Sequence, residues 1–244
     1  MIFELAAFGI ITGFISGFFG VGGGMVLVPI LLLAGFVMKE AVAISIMQMV
    51  FSSIYGSFLN SKKAINILKD GIIIGFGGFV GGLQSGFIVS NVSNLTLQYL
   101  FIGILIYSIF AIFNSSIEEN SVPKKKNKLI LFIIGIVIGT VAMSIGVGGS
   151  IMLTPILVRF LNYELKTATA LGLYFVIFSS VAGFTSLSLN EQMLFKEGAI
   201  VGLASLIGVY FGIKIKNATH TTSYRKYILI LYTIILISMI YKSL

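Results

Sequence analysis

The sequence predicts an all-α polytopic membrane protein built from two inverted-topology repeats, each with four long spans and one short broken helix. Three observations carry this expectation. Hydrophobic residues make up 57% of the 244-residue chain and charged residues 10%, with a mean hydropathy of +1.08. A soluble domain of this size needs far more charge on its surface. A glycine string followed by a proline occurs twice: Gly20-Val21-Gly22-Gly23-Gly24 before Pro29, and Gly146-Val147-Gly148-Gly149-Ser150 before Pro155. The basic residues divide unequally between two faces only if each repeat crosses the membrane an odd number of times.

Eight long apolar runs follow one another: 2–19, 41–59, 71–89, 97–113, 129–145, 167–187, 198–213 and 227–240. Each is near the roughly 20 residues that cross a bilayer as a helix. The first run carries Glu4 and no basic segment ahead of it, so it reads as a retained helix rather than a signal peptide. Two shorter runs, 25–37 and 151–160, follow the glycine strings. They are half-helices or steep spans. Full crossing, for about 10 passes in all, and a hairpin meeting at mid-membrane both fit the sequence.

The duplication extends well beyond the strings. Gly9, Gly13, Gly20, Gly22, Gly23, Leu27 and Pro29 recur 126 positions later. One extra residue then raises the offset to 127, which holds for Ala41/Ala168, Ser52/Ser179, Gly56/Gly183, Lys69/Lys196, Asp70/Glu197, Gly75/Gly202 and Gly81/Gly208. The predicted repeats are residues 1–116 and 129–244, joined by a basic linker at 117–128 that contains Lys124-Lys125-Lys126 and Lys128.

Parity decides the topology. With four passes per repeat the basic residues split seven to nine, which orients nothing. With five, or with a hairpin of the same parity, thirteen share the linker's face, and only Lys39, Lys196 and Lys242 lie opposite. The linker is then cytoplasmic, both termini are outside, and the repeats are inverted relative to each other in a cytoplasmic membrane. The net charge of +8 serves this orientation and calls for no nucleic-acid partner. The partners expected are the lipid bilayer and a small anionic substrate. Oligomeric state is not legible.

The chemistry is narrow. There is no cysteine, the single histidine is His220 in a polar segment, and all eight acids lie at or near the ends of apolar runs. Intramembrane catalysis, Cys- or His-ligated metals and cofactors therefore lack their residues, and no enzyme is expected. Proton- or sodium-coupled carriers commonly hold a mid-span carboxylate, which is missing here. What remains is the pair of strings. Gly20, Gly22, Gly23, Gly24 and Met25 precede or open one short helix, and Gly146, Gly148, Gly149, Ser150 and Ile151 the other. A helix N-terminus presents free N–H groups and about half a positive charge, and glycine admits a ligand close to them. The competing reading is that the glycines serve close helix crossing. The second stripe, Gly71, Gly75, Gly78, Gly82 and Gly86, reads as packing alone. Candidate side-chain donors are Ser16, Gln48, Ser52, Ser144 and Ser179, of which Gln48 is the hardest to satisfy within its own helix. Arg159 is either a snorkelling cation or an anion attractor, and its repeat mate is Leu33.

The pattern Gly9-x3-Gly13-x3-Gly17-x2-Gly20-x-Gly22-Gly23-Gly24-x4-Pro29, its second copy, and Ala168-Thr169-Ala170-Leu171-Gly172 resemble the TauE/SafE family. The resemblance covers essentially the whole chain. It implies a membrane permease, a sulfite exporter type for small sulfur-containing anions such as sulfite and sulfonates, sulfoacetate among them. The second copy departs from the motif at Met143 and Ser150. The family is described with about eight spans, and the two short runs account for the difference from ten passes. The alternatives are a permease for another small anion, such as a carboxylate, and a non-transporting membrane protein.

Overall fold

The computed structural model describes residues 2–60, 68–114, 127–163, 165–218 and 221–243. Among these residues there are eleven helices and no strand. They are α1 (Ile2–Phe19), α2 (Gly24–Leu33), α3 (Met38–Asn60), α4 (Leu68–Gly82), α5 (Ser85–Asn91) and α6 (Asn94–Phe113). Then come α7 (Lys128–Ser144), α8 (Ser150–Leu161), α9 (Leu165–Leu189), α10 (Phe195–Ala218) and α11 (Thr221–Ser243). Most of the linker lies outside the described residues, as do Lys62, Lys63, Glu164 and His220.

The sequence offsets carry over to the helix starts. Moving α1 and α2 on by 126, and α3, α4 and α6 by 127, lands on the first residues of α7, α8, α9, α10 and α11. One element breaks the correspondence. The run at 71–89 is split at Leu83–Gln84 into α4 and α5, where α10 is continuous. Ser186 of α9 bridges the break, donating to the Leu83 carbonyl (2.6 Å) and accepting from the Gly86 N–H (2.9 Å).

Six segments are long and apolar enough to cross a membrane: Ile2–Phe19, Met38–Leu59, Gly71–Asn91, Asn94–Phe113, Thr167–Leu189 and Phe195–Lys216. Gly24–Leu33, Lys128–Ser144 and Ser150–Arg159 are shorter apolar helices. The surface is the inverse of a soluble protein's. Phe58, Phe87, Phe110 and Ile234 are exposed, while Ser16, Ser45, Gln48, Ser52 and Ser179 are wholly buried. Lipid rewards the first arrangement, and the interior collects the polar groups that hydrocarbon would penalise.

Small residues set the helix pairing. On α1, Gly9, Gly13 and Gly17 lie against Val201, Ser205 and Val209 of α10, so the two helices run in the same direction. Gly77 and Gly81 of α4 meet Phe132 and Ile136 of α7 in the same way, and Gly135 and Gly139 return the contact. Backbone approaches backbone there, and an added Cβ would overlap a carbonyl oxygen, which is how small residues bring membrane helices together. The stripe at Gly71, Gly75, Gly78, Gly82 and Gly86 packs on α9, as read from the sequence. By contrast α3 and α9 cross in opposite directions. Ile46 faces Gly183 towards one end and Gly56 faces Leu173 towards the other.

The short helix α2 doubles back. Its 10 residues give about 15 Å of rise, half a bilayer core. Ala34, Gly35 and Phe36 beyond its end share a cavity with Glu4, Leu5 and Phe8 of α1. The chain therefore runs along α1, turns at the first glycine string and returns. The α1–α2 segment is thus a pair of antiparallel helices joined by the glycine turn.

Candidate functional site

The two glycine strings meet at the crossing of α3 and α9. Gly20, Gly22 and Gly23 have φ of 70°, 78° and 82°, and Gly146, Gly148 and Gly149 have 70°, 79° and 72°. These left-handed values strain any residue with a Cβ, so the six positions are glycine for conformational reasons first. The turns lead into α2 and α8, whose N-caps Gly23 and Gly149 make no side-chain cap bond. Met49 and Val176, repeat mates at offset 127, both touch Gly22 and both touch Gly148, and so fill the centre between the strings. A Cβ on Gly24 would overlap the Gly146 carbonyl, which already accepts from Ser45 Oγ at 2.6 Å.

Gln48 is the most exceptional side chain here. It is fully buried, and neither Nε2 nor Oε1 has a hydrogen-bond partner. Its amide lies flat against the first turn: an added Cβ on Gly23 would sit 2.6 Å from Nε2 and 2.7 Å from Oε1. Leaving buried polar groups unpaired costs roughly 1–3 kcal/mol each. The repeat mate of Gln48 is Phe175, which lies against Gly149 in the same manner. The amide is thus a substitution on one side of an otherwise matched pair.

The remaining sequence candidates divide by what their hydroxyls do. Ser52 Oγ donates to the Gly22 carbonyl at 3.2 Å and so braces the first string. Ser144 and Ser179 are spent on their own helices, donating to Thr140 O (2.7 Å) and Phe175 O (3.0 Å). Ser16 and Ser150 are buried with unpartnered hydroxyls. Met25 and Ile151 are fully buried in the first turns of α2 and α8. The structure thus brings Gln48, Ser52 and residues 20–25 together with residues 146–151, while the hydroxyls of Ser144 and Ser179 are bonded within their own helices. Arg159 lies in the last turn of α8, near the helix end.

Sequence reasoning passed over Ser45, Phe175 and the central Met49/Val176 pair. Ser45 carried a signal all the same. Its mate is Gly172, while Gly24 has Ser150 as its mate, so serine and glycine have traded places across the pair. In space these are contacts: Gly24 lies against Ser45 Oγ, and Gly172 against Ser150 Cβ at 2.8 Å from an added Cβ.

A helical membrane protein whose paired helix breaks meet in its interior has the architecture of a membrane transporter. Comparison with known proteins makes this specific. Residues 5–239 match the Sulfite exporter TauE/SafE family, and the chain belongs to that family of membrane transporters. Over 67 residues it is 45% identical to a probable membrane transporter protein of Methanocaldococcus jannaschii, a match covering 27% of this chain and 25% of that one. It is 22% identical to the probable membrane transporter protein YunE of Bacillus subtilis, over 96% of this chain and 93% of the relative. The probable membrane transporter protein YdhB of the same organism is 26% identical, over 85% and 87%. No solved structure matches the chain.

Proposed function

We propose that the chain is a permease for small sulfur-containing oxyanions such as sulfite and sulfonates, moving them across the cytoplasmic membrane. The anion is held where the N-termini of α2 and α8 approach each other, with the Gln48 amide as its side-chain partner. The observation that carries this is the buried, unpartnered amide against Gly23. An oxyanion would satisfy the Nε2 donors, and a singly protonated one would also donate to Oε1. The dipole of α2 favours the charge without a buried cation.

The same reading takes the two halves, 1–116 and 129–244, as inverted repeats around a cytoplasmic linker at 117–128, with eight long spans. The opposed directions of α3 and α9 support inversion, since they are repeat mates. Four passes per half would make those helices parallel. Flux through proteoliposomes, with sulfite, a sulfonate and acetate as competing substrates, tests the substrate class. Transport of acetate in preference to both sulfur anions would overturn it.

A further inference from the structure

We infer that the furrow between α1 and α11 is a binding site for an anionic phospholipid, with an acyl chain along its apolar walls and the headgroup phosphate between Lys214 and Lys226. The furrow arises from how the helices pair. Glycines bring α1 and α10 backbone to backbone, whereas α11 packs chiefly on α6. There Arg225 Nη2 donates to the carbonyls of Ile112 (2.8 Å) and Phe113 (2.7 Å). Between the two helix pairs is an open cavity of about 410 Å³, within the roughly 300–1,000 Å³ of small-ligand sites. Phe14 and Phe18 of α1, Ile215 of α10, and Tyr227, Ile230 and Ile234 of α11 line it. Phe18 and Tyr227 face each other with ring centroids 6.3 Å apart. The α11 wall, from Tyr227 to Ile234, rises about 10 Å along the helix.

Apart from the Tyr227 hydroxyl the walls are hydrocarbon, and the charge lies at one end. Lys214 immediately precedes Ile215, and Lys226 immediately precedes Tyr227, where α10 finishes and α11 begins. Both lysines are exposed. Their neighbours in sequence are engaged elsewhere: Lys216 is 6% exposed and donates to Thr169 Oγ1 at 3.3 Å, and Arg225 holds the end of α6. Hydrocarbon walls ending in two cations from two helices match an amphiphile with an anionic head. Lipid tails are as apolar as these walls, so the furrow gains nothing by preferring one tail, and the headgroup sets the selectivity. The other half of the chain lacks this combination. The mates of Lys214 and Lys226 at offset 127 are Phe87 and Tyr99, both exposed, and the mates of Phe14 and Phe18 at offset 126 are Thr140 and Ser144. The occupant of the furrow does not depend on which anion is transported.

The chain has no tryptophan, so an introduced one reports a single place. Ile230→Trp puts the reporter in the furrow, and Leu203→Trp, at an exposed position of α10 outside it, is the control. Each variant is reconstituted in phosphatidylcholine vesicles containing brominated phosphatidylglycerol or brominated phosphatidylcholine. Quenching of the tryptophan fluorescence then gives the relative affinity of the two lipids. The Ile230→Trp reporter prefers phosphatidylglycerol roughly twentyfold, about fivefold for each lysine. Lys214→Gln together with Lys226→Gln abolishes the preference, and arginine at both positions keeps it. The Leu203→Trp reporter prefers neither lipid. Equal quenching by the two lipids at Ile230→Trp, a preference that survives the double glutamine variant, or the same preference at Leu203→Trp would overturn the inference. Quenching by neither lipid would put protein in the furrow, a second copy of this chain included, and would overturn it as well. If Ile230→Trp does not fold, native mass spectrometry of the chain without a reporter replaces it. The natural chain keeps bound phosphatidylglycerol through detergent exchange and the double glutamine variant loses it; equal retention by the two overturns the assignment.

Discussion

Ser108 on α6 donates its hydroxyl to the carbonyl of Ile151 on α8, at 3.1 Å. Pro155 stands four residues after Ile151 and has no N–H, so this carbonyl lacks its usual helical donor. A side chain from the first half thus completes the broken helix of the second. Ser108→Ala leaves a buried carbonyl unpaired and is expected to cost about 1–3 kcal/mol in thermal unfolding. Adding Pro155→Ala returns an N–H to the helix, and the double variant recovers part of the loss. Strictly additive losses would refute the link.

Substituting Gly23 cannot separate binding from folding. Its φ of 82° and the Gln48 amide beside it penalise any side chain. Gln48→Leu can separate them. It is nearly isosteric and removes two unpaired polar atoms, so the unfolding temperature holds or rises. Sulfite affinity by competition binding falls roughly tenfold or more, the loss of one charge-assisted hydrogen bond. A Gln48→Leu protein with wild-type affinity would remove the amide from the site.

Gly24→Ser brings a hydroxymethyl group against Ser45 Oγ and the Gly146 carbonyl, and destabilises the protein. Adding Ser45→Gly recreates the Ser150/Gly172 combination of the other half. Thermal unfolding of the two single variants and the double should give a coupling of about 0.5–3 kcal/mol, favouring the double. A coupling near zero would mean the exchanged residues are independent.

Inverted halves put residue 122 and the C-terminus on opposite faces, with the linker in the cytoplasm. Reporter fusions at the two positions check this directly. Cytoplasmic signals from both would rule out an odd number of crossings per half.

Glu197 lies in the first turn of α10, where a carboxylate complements the helix dipole. Glu197→Gln is expected to lower stability by roughly 0.3–1 kcal/mol and to leave sulfite flux largely intact. A folded Glu197→Gln protein that has lost flux would assign this acid to coupling instead.

Much of this was legible in the residues. The offsets of 126 and 127 gave every helix but α5 its mate, because a fold built twice repeats its turn and packing residues. The six positive-φ glycines fell where the strings predicted a break. Gln48 stood out because no helix can satisfy its amide locally. Other features depended on contacts across the crossing, which no local pattern encodes. Ser144 and Ser179 look like Ser52 in the sequence, yet they bond their own backbones while Ser52 reaches another turn. Lys216 sits among Lys214 and other basic residues at a helix end, and only its burial against Thr169 distinguishes it. The split at Leu83–Gln84 had no proline to announce it.

The pairing of α1 with α10 has a consequence for how the protein is made. When α1 leaves the ribosome its partner is still 176 residues away in the message, counting from Phe19 to Phe195. At about 5–20 residues per second that is a delay of roughly 10–35 s. Through it Gly9, Gly13 and Gly17 have no α10 backbone to lie against. The nascent first helix must be sheltered by lipid, by the insertion machinery or by temporary neighbours. A ribosome stalled before Phe195 would hold a membrane-inserted chain with this seam still open.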